Sequence, residues 1–199
     1  MMARIPYPEP AEVPASLAPI LADQINVFRM AGHSPILLSL FSVYSTSLLT
    51  HTALGARERE LVILACAQLY GSDYEWRQHL RTAPQTGLTG SHFDALAARH
   101  FSAPVFTEHE QVLLEFVTTC VHRPRPPAAV LNRFRARFSD RHLVEILALL
   151  GNYLTIARLS TVLEVEVDVP EQVDAAAFWD RANGLVDSLI DRIARQWAP

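Results

Sequence analysis

Helix punctuation recurs along almost the whole chain and constrains the fold more than any other feature. From Ala15 onward apolar residues return with a helical period, and each run opens and closes on residues that start and stop helices. A helix over about 15–31 stops near Gly32. Ser34 is the N-cap of a helix to about 50, with Pro35 at its first position, where the missing N–H of proline leaves no bond unmade. A third helix covers about 56–70 and ends at Gly71, and a fourth opens at Ser72 and runs to about 83. The stretch 91–94 opens a short fifth. Thr107 and Glu110 have the spacing of a capping box and open a sixth helix to about 121. Pro126 and Pro127 lead a seventh to about 137, Ser139 caps an eighth over about 139–163, and a ninth covers about 175–196. The best period-two segment, 165–169, is short, ends at Pro170 and reads as an extended connector. The expectation is an all-α fold of about eight or nine helices.

At 199 residues, half of them apolar, the chain can bury one sizeable core, so 15–199 reads as a single domain. Residues 1–14 hold four prolines and read as an extended arm, either disordered or laid across a neighbouring surface. The net charge of −4, without a basic run, argues against nucleic acid as a partner. The first residues lack an apolar leader. The longest apolar stretches, 36–49 and 146–157, are interrupted by polar residues and fall short of the roughly 20 residues that a bilayer span needs. A cytoplasmic protein without a membrane partner is therefore expected.

The segment with chemical content is 57–79. Glu75 and His79 are spaced i, i+4 and share one helix face. Ser72 lies one turn earlier on the same side, and Gly71 lets the preceding helix turn back, so Glu60 on that helix faces the same stripe across a hairpin. A carboxylate beside an imidazole fixes its tautomer and favours its protonated form, and a second, partly buried carboxylate can hold or relay a proton. Structural roles compete for each residue. Ser72 and Glu75 also make a capping-box pair, Glu75 with His79 can be an ordinary surface pair, and Glu60 can answer the helix dipole. The eight histidines form no HxH, HExxH or ExxH spacing, and Glu75 with His79 offers two ligands without a clear third, so no metal is expected. Cys66 and Cys120 lie far apart, form no CxxC and read as buried thiols.

These residues resemble the carboxymuconolactone decarboxylase-like family, which also contains the alkylhydroperoxidase AhpD. The likeness covers roughly 34–163. It rests on the Arg59-Glu60-Leu61-Val62-Ile63-Leu64 run, the glycine before the site helix, and Gly151-Asn152-Tyr153 followed by Arg158-Leu159. In the peroxidase branch a Glu is followed by Cys-x-x-Cys-x-x-x-His. On this chain that Glu matches Glu60, the His matches His79, and the cysteine positions hold Ser72 and Glu75. Serine and glutamate form no disulfide, so two-thiol peroxide chemistry is not expected. The decarboxylase branch is similar in its Glu-x-x-x-His helix without a cysteine pair, here Glu75 to His79, but departs just beyond it at Pro84.

The resemblance implies an AhpD-like helical fold in a symmetric homo-oligomer, commonly a trimer or hexamer. It also implies a cofactor-independent lyase or isomerase acting on a small carbonyl or lactone acid. In such chemistry His79 donates or shuttles the proton, Glu75 orients it and Glu60 relays. Arg77, Arg81 and Arg158 are the candidates for holding the substrate anion, with Tyr74, Trp76 and Ser72 around the pocket. Asn152 and Tyr153 either satisfy a buried polar network or line that pocket, and Trp179 and Trp197 either anchor the last helix or bury at a subunit contact. Two other readings remain: a non-catalytic binding or assembly protein of the same fold, and a thiol peroxidase using Cys66.

Overall fold

The computed structural model describes residues 3–15, 17–18, 21, 25–169 and 175–196, without the side chains of 175–179. Among them are nine α-helices and no strand: α1 (Asn26–Ala31), α2 (Pro35–Thr50), α3 (Ala56–Tyr70), α4 (Asp73–Thr82), α5 (Gly90–Ala97), α6 (Glu108–His122), α7 (Ala128–Arg135), α8 (Asp140–Val162) and α9 (Ala175–Gln196). Among the described residues the fold is all-α. The chain forms two compact units, one of Met1–His51 with Leu163–Pro199, the other of Thr52–Val162.

The Thr52–Val162 unit is built around α3. Every residue from Glu60 to Ala67 is buried, so this helix has no solvent face over two turns. That follows from its neighbours, because α4, α6 and α8 all pack against it. On its far side a ladder of rings ties α7 to α6: Phe116 stacks on Phe134 at 4.2 Å between centroids, and Phe134 on Phe138 at 4.6 Å. Residues 146, 149, 150, 153 and 156 of α8 point into the same core. Among the described helices, α8 is long and apolar enough to cross a membrane by length and composition, and it exceeds the apolar span read from the sequence. Here its buried face is a wall of the core.

Local signals set most helix ends. The Ser34 side chain accepts from the Leu37 N–H, Thr107 and Glu110 close a full capping box, and Pro84 starts a 3-10 turn (Ala83–Thr86) where α4 stops. The first helix differs from expectation. Ala18 and Leu21 are helical, but Ile25 is extended, so the expected run is broken there and α1 starts at Asn26. Its cap is supplied from a distance: Asp168 accepts from the Asn26 backbone N–H at 2.8 Å, and the Glu166 carbonyl accepts from the Asn26 side chain at 3.0 Å. Residues 16, 19–20 and 22–24 of the expected helix lie outside the described residues, as do Trp197 and the Trp179 side chain.

In the other unit α2 packs against α1 and α9. The proline-rich N-terminal segment lies along the connector that follows α8. Arg4 donates its N–H to the Leu163 carbonyl at 2.8 Å, and the Tyr7 hydroxyl donates to Glu166 at 2.6 Å. Residues 165–169 take no regular secondary structure and pair into no strand.

Candidate active site

The site begins with how α3 ends. Gly71 is left-handed, at φ 71°, which a side chain would strain, and the N–H groups of both Gly71 and Ser72 go to the Ala67 carbonyl. That choice decides the role of Glu75. In a full capping box its carboxylate would reach back to the Ser72 N–H. Here that N–H is already used, so only half of the box forms, with Ser72 Oγ accepting from the Glu75 N–H at 3.2 Å. Ser72 Oγ also meets Ser160 Oγ of α8 at 3.1 Å. The Glu75 carboxylate is left free to turn toward its own helix face.

There it meets His79. The imidazole Nε2 lies 3.4 Å from Glu75 Oε2, and Nδ1 lies 2.9 Å from Glu60 Oε2 across the α3–α4 hairpin. Tyr153 of α8 places its hydroxyl 3.1 Å from His79 Nε2, with the two rings edge to face. The carboxylate side chains are 10% and 5% exposed and the imidazole 16%, so the ring is the member of the trio most open to an incoming molecule.

Two carboxylates on one imidazole dominate its electrostatics. Burial alone would discharge the ring, but the hydrogen bonds and charges of Glu60 and Glu75 outweigh it and raise His79 to about 10. At neutral pH the ring is therefore an imidazolium. Both ring nitrogens then donate: Nδ1–H to Glu60, and Nε2–H to the Tyr153 oxygen and Glu75. The Tyr153 phenol stays neutral, because burial first and then the charges of Glu75 and Glu60 push its ionisation well above the ordinary value. With its oxygen accepting from His79, its own proton is available to a further acceptor.

The sequence-derived candidates divide into groups. Glu60, Glu75 and His79 come together as read. Ser72 is buried and spent on capping α4 and on Ser160. Tyr74 is buried and accepts from Gln78 at 3.3 Å, and Trp76 is half-buried. The three arginines are exposed: Arg77 pairs with Asp73, Arg81 donates to Gln78, and Arg158 donates to the Tyr70 carbonyl. Sequence reasoning passed over Arg59, which is half-buried on α3 beside Glu60, and Ser160, and it left the role of Tyr153 open. Only the glycine-marked stretch 151–153 offered a signal.

Cys66 is fully buried in α3, and burial, aided by the Glu75 charge, pushes its thiol far up, against thiolate chemistry. Among the described residues no group of three His, Cys, Asp or Glu side chains is arranged to hold a metal ion. Both nitrogens of His79 are engaged in hydrogen bonds.

A model of the Carboxymuconolactone decarboxylase family matches residues 35–117, the span that contains Glu60, Glu75 and His79. Over that span the chain is similar to the carboxymuconolactone decarboxylase family. Solved structures extend the likeness beyond the matched segment. An alkylhydroperoxidase AhpD core protein from Ralstonia eutropha JMP134 has 21% identity and a TM-score of 0.73, covering 86% of this chain and 95% of its own. A putative antioxidant defence protein AhpD from Agrobacterium tumefaciens has 22% identity and a TM-score of 0.64, over 70% and 95%. The debrominase Bmp8 has 13% identity and a TM-score of 0.65, over 84% and 91%. No curated protein matches the sequence. At these identities the structures speak for the fold. The carboxylate of Glu75 is what completes the clamp on His79.

Proposed function

We propose that this protein is a cofactor-independent enzyme that moves a proton next to the carbonyl of a small carbonyl or lactone acid, as a lyase or isomerase of the carboxymuconolactone decarboxylase type. The observation that supports this most is the His79 imidazolium held between Glu60 and Glu75 with the Tyr153 hydroxyl at its Nε2.

The chemistry follows from the acidities. When a carboxylate leaves as CO2, the electron pair of the broken C–C bond passes into the neighbouring carbonyl as an enolate. Tyr153 donates a hydrogen bond to that enolate oxygen, and His79 Nε2–H delivers its proton to the carbon that lost CO2. An acid near 10 keeps its proton against water at neutral pH, yet gives it readily to a carbanion-like centre. The neutral imidazole left between two carboxylates then regains a proton from solvent, which resets the site. Where the reaction begins with proton removal, as in an isomerisation, the Glu75 carboxylate is the base and His79 returns the proton. A small unsaturated ring fits the fold: the structurally similar debrominase Bmp8 forms a complex with 2,3,4-tribromopyrrole.

The test is turnover of 4-carboxymuconolactone followed by its ultraviolet absorbance, with His79→Gln alongside. Turnover by the parent and its loss in the variant supports the reading. Equal turnover by both contradicts it.

A further inference from the structure

We infer that Ser160 is a positioning residue: its hydroxyl contact with Ser72 sets the register of α8 against α4, so that the Tyr153 hydroxyl lands on His79 Nε2. The inference rests on the proton-transfer reading above and adds to it the device that places the phenol.

The first argument is spacing. α8 meets the site helix in two polar rungs, Ser72 Oγ with Ser160 Oγ at 3.1 Å and His79 Nε2 with the Tyr153 hydroxyl at 3.1 Å. Ser72 and His79 are seven positions apart, and so are Ser160 and Tyr153, counted in the opposite direction. Seven residues make two helical turns, about 10.5 Å of rise, so both rungs fall on the facing sides of two antiparallel helices. Glu75 lies between the rungs on α4, and the buried Ala157 lies between them on α8. Once the Ser72–Ser160 rung is made, the same register delivers Tyr153 to His79.

The second argument is what the rung adds. Ser72 and Ser160 are 1% and 3% exposed. Two small apolar side chains would hold the helices together about as well, because a buried hydroxyl pair gains little over no hydroxyls at all. The cap on α4 does not need Ser160 either, since Ser72 Oγ accepts from the Glu75 N–H by itself. What the pair supplies is direction. Apolar packing tolerates a small slide of one helix on another, and a hydrogen bond does not. A slip of one residue carries a side chain about 1.5 Å along the axis and about 100° around it, which takes Tyr153 off His79.

The third argument is that the two nitrogens of His79 are held from different helices. The Tyr153 contact at Nε2 depends on α8, while Nδ1 is held by Glu60 of α3. Loss of the serine rung is therefore felt at Nε2 and not at Nδ1, which separates a register effect from a general loosening of the unit.

The test is the exchange of each His79 ring N–H with water, measured at neutral pH on the full-length protein with histidine-selective 15N labelling. In the parent both N–H groups should exchange slowly. Tyr153→Phe removes the partner of Nε2 and sets the size of the full effect. Ser160→Ala should speed exchange at Nε2–H about ten-fold or more and leave Nδ1–H as in the parent. Thr161→Ala, at the exposed neighbouring position, should match the parent at both. If Ser160→Ala does not fold, Ser160→Cys serves, because it keeps the size and replaces the hydroxyl by a weak hydrogen-bonding thiol. Unchanged Nε2–H exchange in the Ser160 variants would overturn the inference. So would equal acceleration at both nitrogens, or a parent without two slow ring N–H groups. Turnover of 4-carboxymuconolactone is followed separately, and in Ser160→Ala kcat should fall about ten-fold or more with KM little changed. A parent without turnover that still shows the selective Nε2–H change sinks the proton-transfer reading and leaves the role of Ser160 standing. A parent with turnover whose Ser160→Ala variant shows no such change does the reverse, so the two failures are distinguishable.

Discussion

α3 reaches two histidines, one turn apart, in opposite ways. Glu60 holds His79 of α4, and Arg57, three residues earlier, holds His92 of α5. His92 Nε2 lies 2.9 Å from Arg57 Nη2, a group that can only donate, and Nδ1 lies 3.2 Å from the Thr89 backbone nitrogen and 2.8 Å from Thr89 Oγ1. Burial, and then the Arg57 charge, lower its basicity, and His92 is neutral. Arg57 spends its remaining arms on Glu110 and the Gly87 carbonyl. Burial disfavours the Glu110 carboxylate, but Arg57 and the Thr107 N–H outweigh it and hold it below the usual range. Each nitrogen of the Arg57 guanidinium there has a partner inside the protein. The His79 cluster is the reverse, with a charged imidazole and an uncommitted phenolic proton. A satisfied network fixes structure, whereas an unsatisfied one at a partly open ring is equipped for a ligand.

Three substitutions bear on that contrast. The largest effect is expected at His79. His79→Gln keeps the side-chain size and removes the proton donor, and turnover should fall about 10²–10⁴-fold. A steady-state assay that finds less than a ten-fold loss breaks the distinction between the clusters. Next is Arg57→Ala. It strands the buried Glu110 and removes the partner of His92, so urea unfolding should show a loss of about 2–3 kcal/mol, at the lower end for buried pairs because Arg57 is a third exposed. Turnover per folded molecule should be largely kept, since that network meets no substrate. A drop in turnover without a loss of stability would give the structural cluster a functional part. Smallest is Gly71→Ala, where a left-handed residue gains a side chain with open space around it, and the strain should cost about 1–2 kcal/mol in the same unfolding experiment.

What could be read from the sequence depended on the range of each signal. The ends of α2, α4 and α6 are written in Ser34, Ser72 and Thr107, because these caps act within one turn. The Glu60–Glu75–His79 arrangement was legible because a hairpin bent at Gly71 has few geometries. The partners that complete the site were not legible in this way. Tyr153 reaches His79 across 74 positions and Ser160 reaches Ser72 across 88, so no local pattern marks either contact. The start of α1 escaped for the same reason as Tyr153, since its cap is Asp168 from the far end of the chain.

The central claim is that His79 is an imidazolium at neutral pH, and histidine-selective 15N resonances followed against pH test it directly. The sign of the linkage is fixed by the shift. A histidine raised in the folded state contributes stability that is fully present below its ordinary value of 6.5 and is lost as pH rises through about 10. His92 is lowered, so the unfolded chain takes the proton first and its contribution is lost as pH falls below the ordinary range. One imidazole should therefore keep both ring protons through neutral pH and release one only near 10, its signal should vanish in His79→Gln, and the melting temperature should decline over that same alkaline span. A His79 resonance that titrates near 6.5 would contradict the claim, and with it the proton donor on which the proposed chemistry depends.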